Sequence, residues 1–277
     1  MIVWKDIVFS YICPSLGCIV SAAMYAAPVQ DLKLALASKE QGTLNPVPWA
    51  VMTGNCLGWC VYGYYTHDPF MLASNFPGLI VSIWLNIGAA KLQYHQNAIL
   101  LHRNEQENEN EEEYRHSLMF VPQEILLLRI LMVWLIILIT VGWLGLVQNQ
   151  ARVIGILVNI NLLFFYGAPL QTLRTVIREK SSDSIHRPTM IMNIFNTSFW
   201  SFYGLARNDP VIYIPNLFGS GLIFLQVMLS CWYPTIQATT NNNNESIDGL
   251  DEPLLSQEDM TSREENMDHY ENQEEQP

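Results

Sequence analysis

The sequence predicts an all-α membrane protein with seven transmembrane helices, arranged as two parallel three-helix bundles joined by a linker helix. Three observations carry this reading. Seven apolar runs have the length of about 20 residues that a bilayer-crossing helix needs. The chain matches itself, without a gap, at an offset of 141 residues. The acidic charge is confined to two polar segments outside the runs.

In chain order the runs cover 7–28, 46–65, 70–91, 125–147, 153–172, 188–206 and 210–233. None contains Asp or Glu. Lys91 closes the third, and Arg129 lies near the start of the fourth, where its long side chain reaches the interface. The first run lacks a basic leader, and its Pro28 recurs later in the chain, so it reads as a helix and not a cleaved signal. The expected organisation is a first three-helix repeat (5–95), an acidic cytosolic loop (96–124), a linker helix (125–150), a second repeat (151–235) and a disordered acidic cytosolic tail (236–277).

Only 14 % of the residues are charged, against about 25 % in soluble domains. Of the net charge of -12, residues 236–277 contribute -11 and residues 103–124 contribute -5, which leaves a slightly basic apolar body. Acidic runs with few large apolar residues bury too little surface to fold. The acidic balance argues against nucleic-acid binding. All five cysteines (Cys13, Cys18, Cys56, Cys60 and Cys231) lie in apolar stretches. They read as small core hydrophobes, although Cys56 and Cys60, one helical turn apart, also fit a soft metal. Lys and Arg fall ten to three on one side of the runs, which puts the N-terminus outside or in the lumen and the C-terminus in the cytosol.

The duplication is specific. Between 25–78 and 166–219, fourteen of 54 positions are identical, where composition alone gives about three or four. The matches include Pro28/Pro169, Gln30/Gln171, Asn55/Asn196, Trp59/Trp200, Tyr62/Tyr203, Gly63/Gly204, Asp68/Asp209 and Asn75/Asn216. Three helices reverse the chain's direction across a membrane, and a fourth restores it. The two repeats therefore insert with the same orientation, as is general for parallel-repeat carriers, with a path between the halves.

The elements Ala26-Ala-Pro-Val-Gln30, Trp59-Cys-Val-Tyr62-Gly63, Gly167-Ala-Pro-Leu-Gln171, Trp200-Ser-Phe-Tyr203-Gly204 and Ile214-Pro-Asn216 resemble those of eukaryotic SWEET sugar transporters. The resemblance covers about 5–235 without the acidic loop. The Pro-Val-Gln and Pro-Leu-Gln pieces are also similar to the wider proline-glutamine-loop superfamily.

Several repeated residues suit a polar solute. Asn75 and Asn216 offer donors and acceptors for hydroxyls, or tie helices together. Resemblance favours the first reading. Trp59 and Trp200 present faces that stack on a sugar ring, or pack as core and interface residues. Asn55 and Asn196, one turn earlier, line the pocket or bond neighbouring helices. Resemblance adds Ser21 and Met24, whose repeat partners Leu162 and Phe165 make a drier half. Pro28 and Pro169, with Pro46, Pro48 and Pro188, match a cytosolic proline gate and hinge, or serve as helix starts. Pro188 is one position out of register. Tyr62 with Asp209, and Tyr203 with Asp68, form an outer gate by resemblance. Each Asp also precedes a Pro, as a helix N-cap does.

The implied function is a bidirectional facilitative uniporter for a mono- or disaccharide that works by alternating access. No run carries Asp, Glu or His at mid-membrane for proton coupling. One alternative is an amino-acid transporter of the proline-glutamine-loop type. Another is a non-transporting receptor or scaffold of the same architecture. No enzyme motif is present, and no cofactor or metal is implied. The expected partners are a small-molecule sugar and the bilayer of a plasma membrane or endomembrane. The reading admits a homo-oligomer, and trafficking partners for the tail through Asp251-Glu-Pro-Leu-Leu255. Asn244-Glu-Ser246 is a glycosylation sequon whose use would reverse the orientation.

Overall fold

The computed structural model describes residues 2–42, 44–104, 120–145 and 147–233. The tail, with Asp251–Leu255 and Asn244, lies outside them, as does 105–119 of the acidic loop. Among the described residues the chain is helical throughout. The helices are α1 (Trp4–Ser38), α2 (Val47–Thr66), α3 (Pro69–Asn104), α4 (Pro122–Trp143), α5 (Gln150–Glu179), α6 (Arg187–Ala206) and α7 (Pro210–Trp232).

Five of them, α1, α3, α4, α5 and α7, are long and apolar enough to cross a membrane. α2 and α6 have 20 residues each, which at 1.5 Å per residue gives about 30 Å, one bilayer core. They are less apolar because Asn, Thr, Ser, Trp and Tyr occupy their inward faces. Both helices give residues to the apolar core shared by the two repeats, Trp59 and Tyr62 from α2, Trp200 and Tyr203 from α6.

Three helices run on past their expected ends: α1 continues past Pro28 to Ser38, α5 past Thr172 to Glu179, and α3 past Lys91 to Asn104. α4 stops at Trp143, short of the expected 147. The prolines do not end their helices. At Pro28 the chain makes one tight step, in which the Ala27 amide donates to the Met24 carbonyl (3.4 Å), and then resumes. The stretch after it, Val29–Ser38, is rich in helix formers. It is fixed by Leu32, which is fully buried in a cluster with Trp49, Met52, Cys56, Leu85 and Ala89. A Cβ on Gly88 would come within 2.6 Å of Leu32 Cδ2, so the absence of a side chain there lets α1 and α3 approach. Residues 96–104, expected in the acidic loop, are the end of α3.

The duplication is visible in the backbone. Among the described residues, four non-glycine ones have left-handed φ values, Lys39 (59°), Lys180 (53°), His67 (52°) and Asn208 (51°). They form two pairs at the same 141-residue offset, one closing α1 and α5, the other following α2 and α6. Within each repeat the third helix lies between the other two: α3 packs on α1 and α2, and α7 on α5 and α6. Between repeats α1 packs on α6 and α2 on α5, the pairing that a pseudo-twofold axis requires. α4 packs on α2 and α3 and so belongs to the first half.

A buried polar network holds α4 there. Gln123 Nε2 donates to the Pro46 carbonyl (2.9 Å) and to Asn86 Oδ1 (2.5 Å). Asn86 Nδ2 donates to Thr53 Oγ1 (3.1 Å) and the Ser82 carbonyl (2.7 Å). In a membrane interior such groups are costly unless paired, and here they are paired with one another.

The largest apolar core joins Trp59, Tyr62, Met71, Trp134, Val158, Trp200, Tyr203 and Ile212, from both repeats and α4. It sits toward the end of the bundle that carries Asp68 and Asp209. Gly58 is the tightest point: a Cβ there would lie 2.4 Å from Trp134 Cη2 and 2.7 Å from Val158 Cγ2. Gly58→Ala should therefore cost about 1–3 kcal/mol of stability by overpacking, read as a lower Tm in detergent. Gly221→Ala, where nothing lies within 4 Å of the added carbon, should not lower Tm.

Candidate functional site

A cavity of about 480 Å³ lies between the repeats. The first repeat contributes Met24, Tyr25, Met52 and Asn55. The second contributes more, including Leu162, Phe165, Pro169, Thr189, Asn193, Asn196, Asn216 and Gln226. The cavity reaches the α5–α6 connection at Ser184, Ile185 and His186, of which Ser184 and His186 are exposed. Among the described lining residues there is no carboxylate, Lys or Arg. Amides and hydroxyls supply the polarity, with aromatic and aliphatic faces between them. That is the equipment for a neutral, hydroxyl-rich solute.

Of the ten residues expected around a solute, six line this cavity: Met24, Asn55, Asn196, Leu162, Phe165 and Asn216. The Asn pair is split. Asn216 faces the cavity, with Nδ2 tied to the Ile212 carbonyl (2.7 Å). Asn75 is buried and engaged: Tyr25 Oη donates to its Oδ1 (3.2 Å), and its Nδ2 donates to the Met71 carbonyl (3.0 Å) and Ser74 Oγ (2.8 Å). The repeat partner of Ser74 is Pro215. There Tyr166 Oη donates to the Pro215 carbonyl (2.6 Å) and leaves Asn216 free of it. Both Asn side chains keep the same bond to the carbonyl four residues back, and what differs is that the tyrosine occupies Asn75 Oδ1 but not that of Asn216.

Ser21, Trp59 and Trp200 sit behind the cavity wall. Ser21 Oγ donates to Asn196 Oδ1 (2.8 Å) and accepts from Trp200 Nε1 (3.3 Å), a relay that fixes the Asn196 amide. Trp200 rests on Gly17, where a Cβ would be 3.1 Å from the ring. Each indole meets the Tyr three residues on, edge to face: Trp59–Tyr62 at 5.7 Å and 90°, Trp200–Tyr203 at 5.9 Å and 75°.

Those tyrosines reach across to the other repeat. Tyr62 Oη donates to Asp209 Oδ2 (2.6 Å), and Tyr203 Oη to Asp68 Oδ2 (2.7 Å). The remaining oxygens cap helices. Asp68 Oδ1 accepts from the Phe70 and Met71 amides (3.0 and 3.1 Å), and Asp209 Oδ1 from Val211 (3.0 Å). Capping and cross-repeat bonding thus use different oxygens of one carboxylate. At the opposite end Pro46, Pro48 and Pro188 start helices α2 and α6. Pro169 lies within α5 on the cavity wall, where its carbonyl accepts from Gln226 Nε2 (3.5 Å).

Sequence reasoning missed Met52, Asn193 and Gln226, together with the hydroxyl groups near the α5–α6 connection. Asn193 and Gln226 have Met52 and Leu85 as repeat partners, so a search for repeated polar pairs passes over them. A helical signal existed: 193, 196 and 197 on α6, and 216, 219, 223 and 226 on α7, each recur at three to four residues.

Comparison with known proteins agrees with this architecture. A family model described as "Sugar efflux transporter for intercellular exchange" matches twice, at residues 11–87 and 152–238, starting again 141 residues on. The chain is 25 % identical over 219 residues to "Sugar transporter SWEET1" of Xenopus laevis, covering 79 % of this chain and 91 % of that protein. It is 23 % identical over 235 residues to "Bidirectional sugar transporter SWEET5" of Arabidopsis thaliana, covering 84 % and 88 %. The solved structure of a eukaryotic SWEET transporter superposes with a TM-score of 0.65 at 18 % identity, covering 83 % of this chain and 98 % of the other. With one family model spanning both repeats of a seven-helix membrane bundle, the chain belongs to the SWEET family, described as sugar efflux transporters for intercellular exchange.

Proposed function

We propose that the chain is a facilitative sugar carrier that works in both directions by alternating access, with residues 5–95 and 151–235 as its moving halves. One observation supports it above others. The central cavity reaches exposed residues at the α5–α6 end, while two cross-repeat Tyr–Asp bonds and a shared aromatic core close the Asp68/Asp209 end. With the orientation read from Lys and Arg, this is a state open to the cytosol and shut outside. Sugar is favoured over an amino acid because no lining carboxylate, Lys or Arg among the described residues answers a charged ammonium or carboxylate. The relatives' printed names point the same way.

In the proposed cycle the solute binds between Asn196, Asn216 and Asn55, with Met24, Met52 and Phe165 against its apolar face. Rocking of the halves then breaks the two Tyr–Asp bonds and closes the other end. Pro28 and Pro169 are the proposed pivots, since each lacks an amide to complete its helix ladder.

Three outcomes test this in proteoliposomes with radiolabelled hexoses and sucrose. Asn216→Ala should raise the half-saturating sugar concentration about ten-fold, as expected for one lost hydrogen bond to the solute. Asn75→Ala, which removes a packed amide, should act mainly by lowering Tm; the reverse pattern would overturn the assignment. Tyr62→Phe and Tyr203→Phe each leave a carboxylate oxygen unpaired, which costs about 1–3 kcal/mol in the closed state. Each should make a cysteine placed beneath the gate react faster from the Asp68/Asp209 side, and unchanged rates would remove the gate. Uptake should be the same with and without a pH gradient; a proton-dependent, sugar-induced current would refute the uniporter.

A further inference from the structure

A second, larger groove of about 750 Å³ opens on the membrane face of the second repeat, between α5 and α7. Arg152, in the first turn of α5, marks one end, and Tyr166 the other. The 14 helical steps from one to the other span about 21 Å, more than half of a hydrocarbon core about 30 Å thick. Ile160 and Phe218 are among its apolar walls. Two of its lining residues also belong elsewhere: Tyr62 bonds Asp209, and Tyr166 lines the central cavity as well.

The duplication provides an internal control. The repeat partners of Arg152 and Val211 are Tyr11 and Phe70, and that of Tyr62 is Tyr203. On the first repeat's side, Tyr11 and Phe70 form with Tyr203 of the second repeat a continuous edge-to-face chain of rings from the membrane face inward. Tyr11 meets Phe70 at 6.3 Å and 76°, and Phe70 meets Tyr203 at 5.8 Å and 74°. In the second repeat Val211 is too short and Arg152 is a cation, so the equivalent space remains as the groove, flanking Tyr62. On the membrane face such an apolar groove lies beside the acyl chains of the bilayer.

We infer that the groove binds one phospholipid, with an acyl chain along α5 and α7 and its phosphate on Arg152. Arg152 is exposed, and among the described residues it has no carboxylate partner. Its guanidinium has the fork geometry for a phosphate at the interface. A sterol would fill the apolar part and leave the cation unanswered. The acyl chain backs Tyr62 as Phe70 backs Tyr203, and so supports one of the two cross-repeat bonds from the lipid side. This inference rests on membrane insertion and the repeat, and not on which solute is carried.

The test uses the full chain in phosphatidylcholine vesicles that contain a phosphatidylcholine with a photoactivatable acyl chain, followed by peptide mapping of the labelled sites. Label should concentrate on Ile160, Leu163 and Phe218 over the corresponding face of α1 at Ile19 and Ala22. The excess should be about ten-fold, the discrimination one charge-assisted anchor supplies. The double variant Arg152→Tyr/Val211→Phe, which rebuilds the first repeat's stack, should abolish that excess. If the double variant does not fold, Ile160→Trp fills the groove from its other wall and should do the same. Arg152→Gln should lower labelling by the phospholipid probe and leave a photoactivatable sterol unaffected. Equal labelling of the two faces, an excess that survives the folded filling variant, or stronger labelling by the sterol would overturn the proposal.

Discussion

Two carboxylates, Asp68 and Asp209, each serve both repeats at once, and much of the bundle depends on that sharing. One oxygen of each ends the unpaired amides at the start of its own third helix, α3 or α7. The other accepts a phenol from the opposite repeat. A carboxylate at a membrane-embedded helix junction is tolerable only when so fully partnered. The same constraint places a tyrosine three residues after each tryptophan, so that indole, phenol and carboxylate form one column on each side of the pseudo-twofold axis. The apolar core that joins the halves is built around those two columns.

Toward the opposite end the described residues join the halves more loosely. The second apolar cluster, around Leu32 and Trp49, draws its buried members from the first repeat alone, with Phe165 of the second packed against it, and Asn161 Nδ2 donates to the Val51 carbonyl (3.3 Å). The cavity lies between the aromatic end and this looser one. Its polarity comes mainly from α6 and α7, so the halves are unequal in chemistry although alike in fold.

What was legible in the sequence was what the duplication repeats. The seven runs, the 141-residue offset, and the Trp, Tyr and Asp pairs were all visible as identities, because each serves the same local purpose twice. What was not legible lies where the copies diverge. The Asn75/Asn216 pair looks equivalent in sequence, yet Tyr25 donates to the Asn75 side chain while its repeat partner Tyr166 donates to the Pro215 backbone carbonyl. Asn193 and Gln226 were missed because their partners are Met52 and Leu85. Helix ends were misread because the apolar runs stop where the helices leave the bilayer, and the helices continue through more polar residues. Burial of Leu32 against Gly88 outweighs the single missing backbone bond at Pro28.

The network of Gln123, Asn86, Thr53 and Pro46 bears on how such a chain is assembled. All its members lie in the first four helices, and every bond in it closes without a residue from the second repeat. During synthesis, N-terminal segments order before later ones emerge. The first repeat and α4 can therefore complete their buried polar bonding while α5 is still being made. The second repeat then arrives against a finished surface, with Asp68 and Tyr62 already waiting for their partners. Within the second repeat, α5 and α7 are tied by separate side-chain bonds to backbone carbonyls, from Asn159 to Val211, Tyr166 to Pro215 and Gln226 to Pro169.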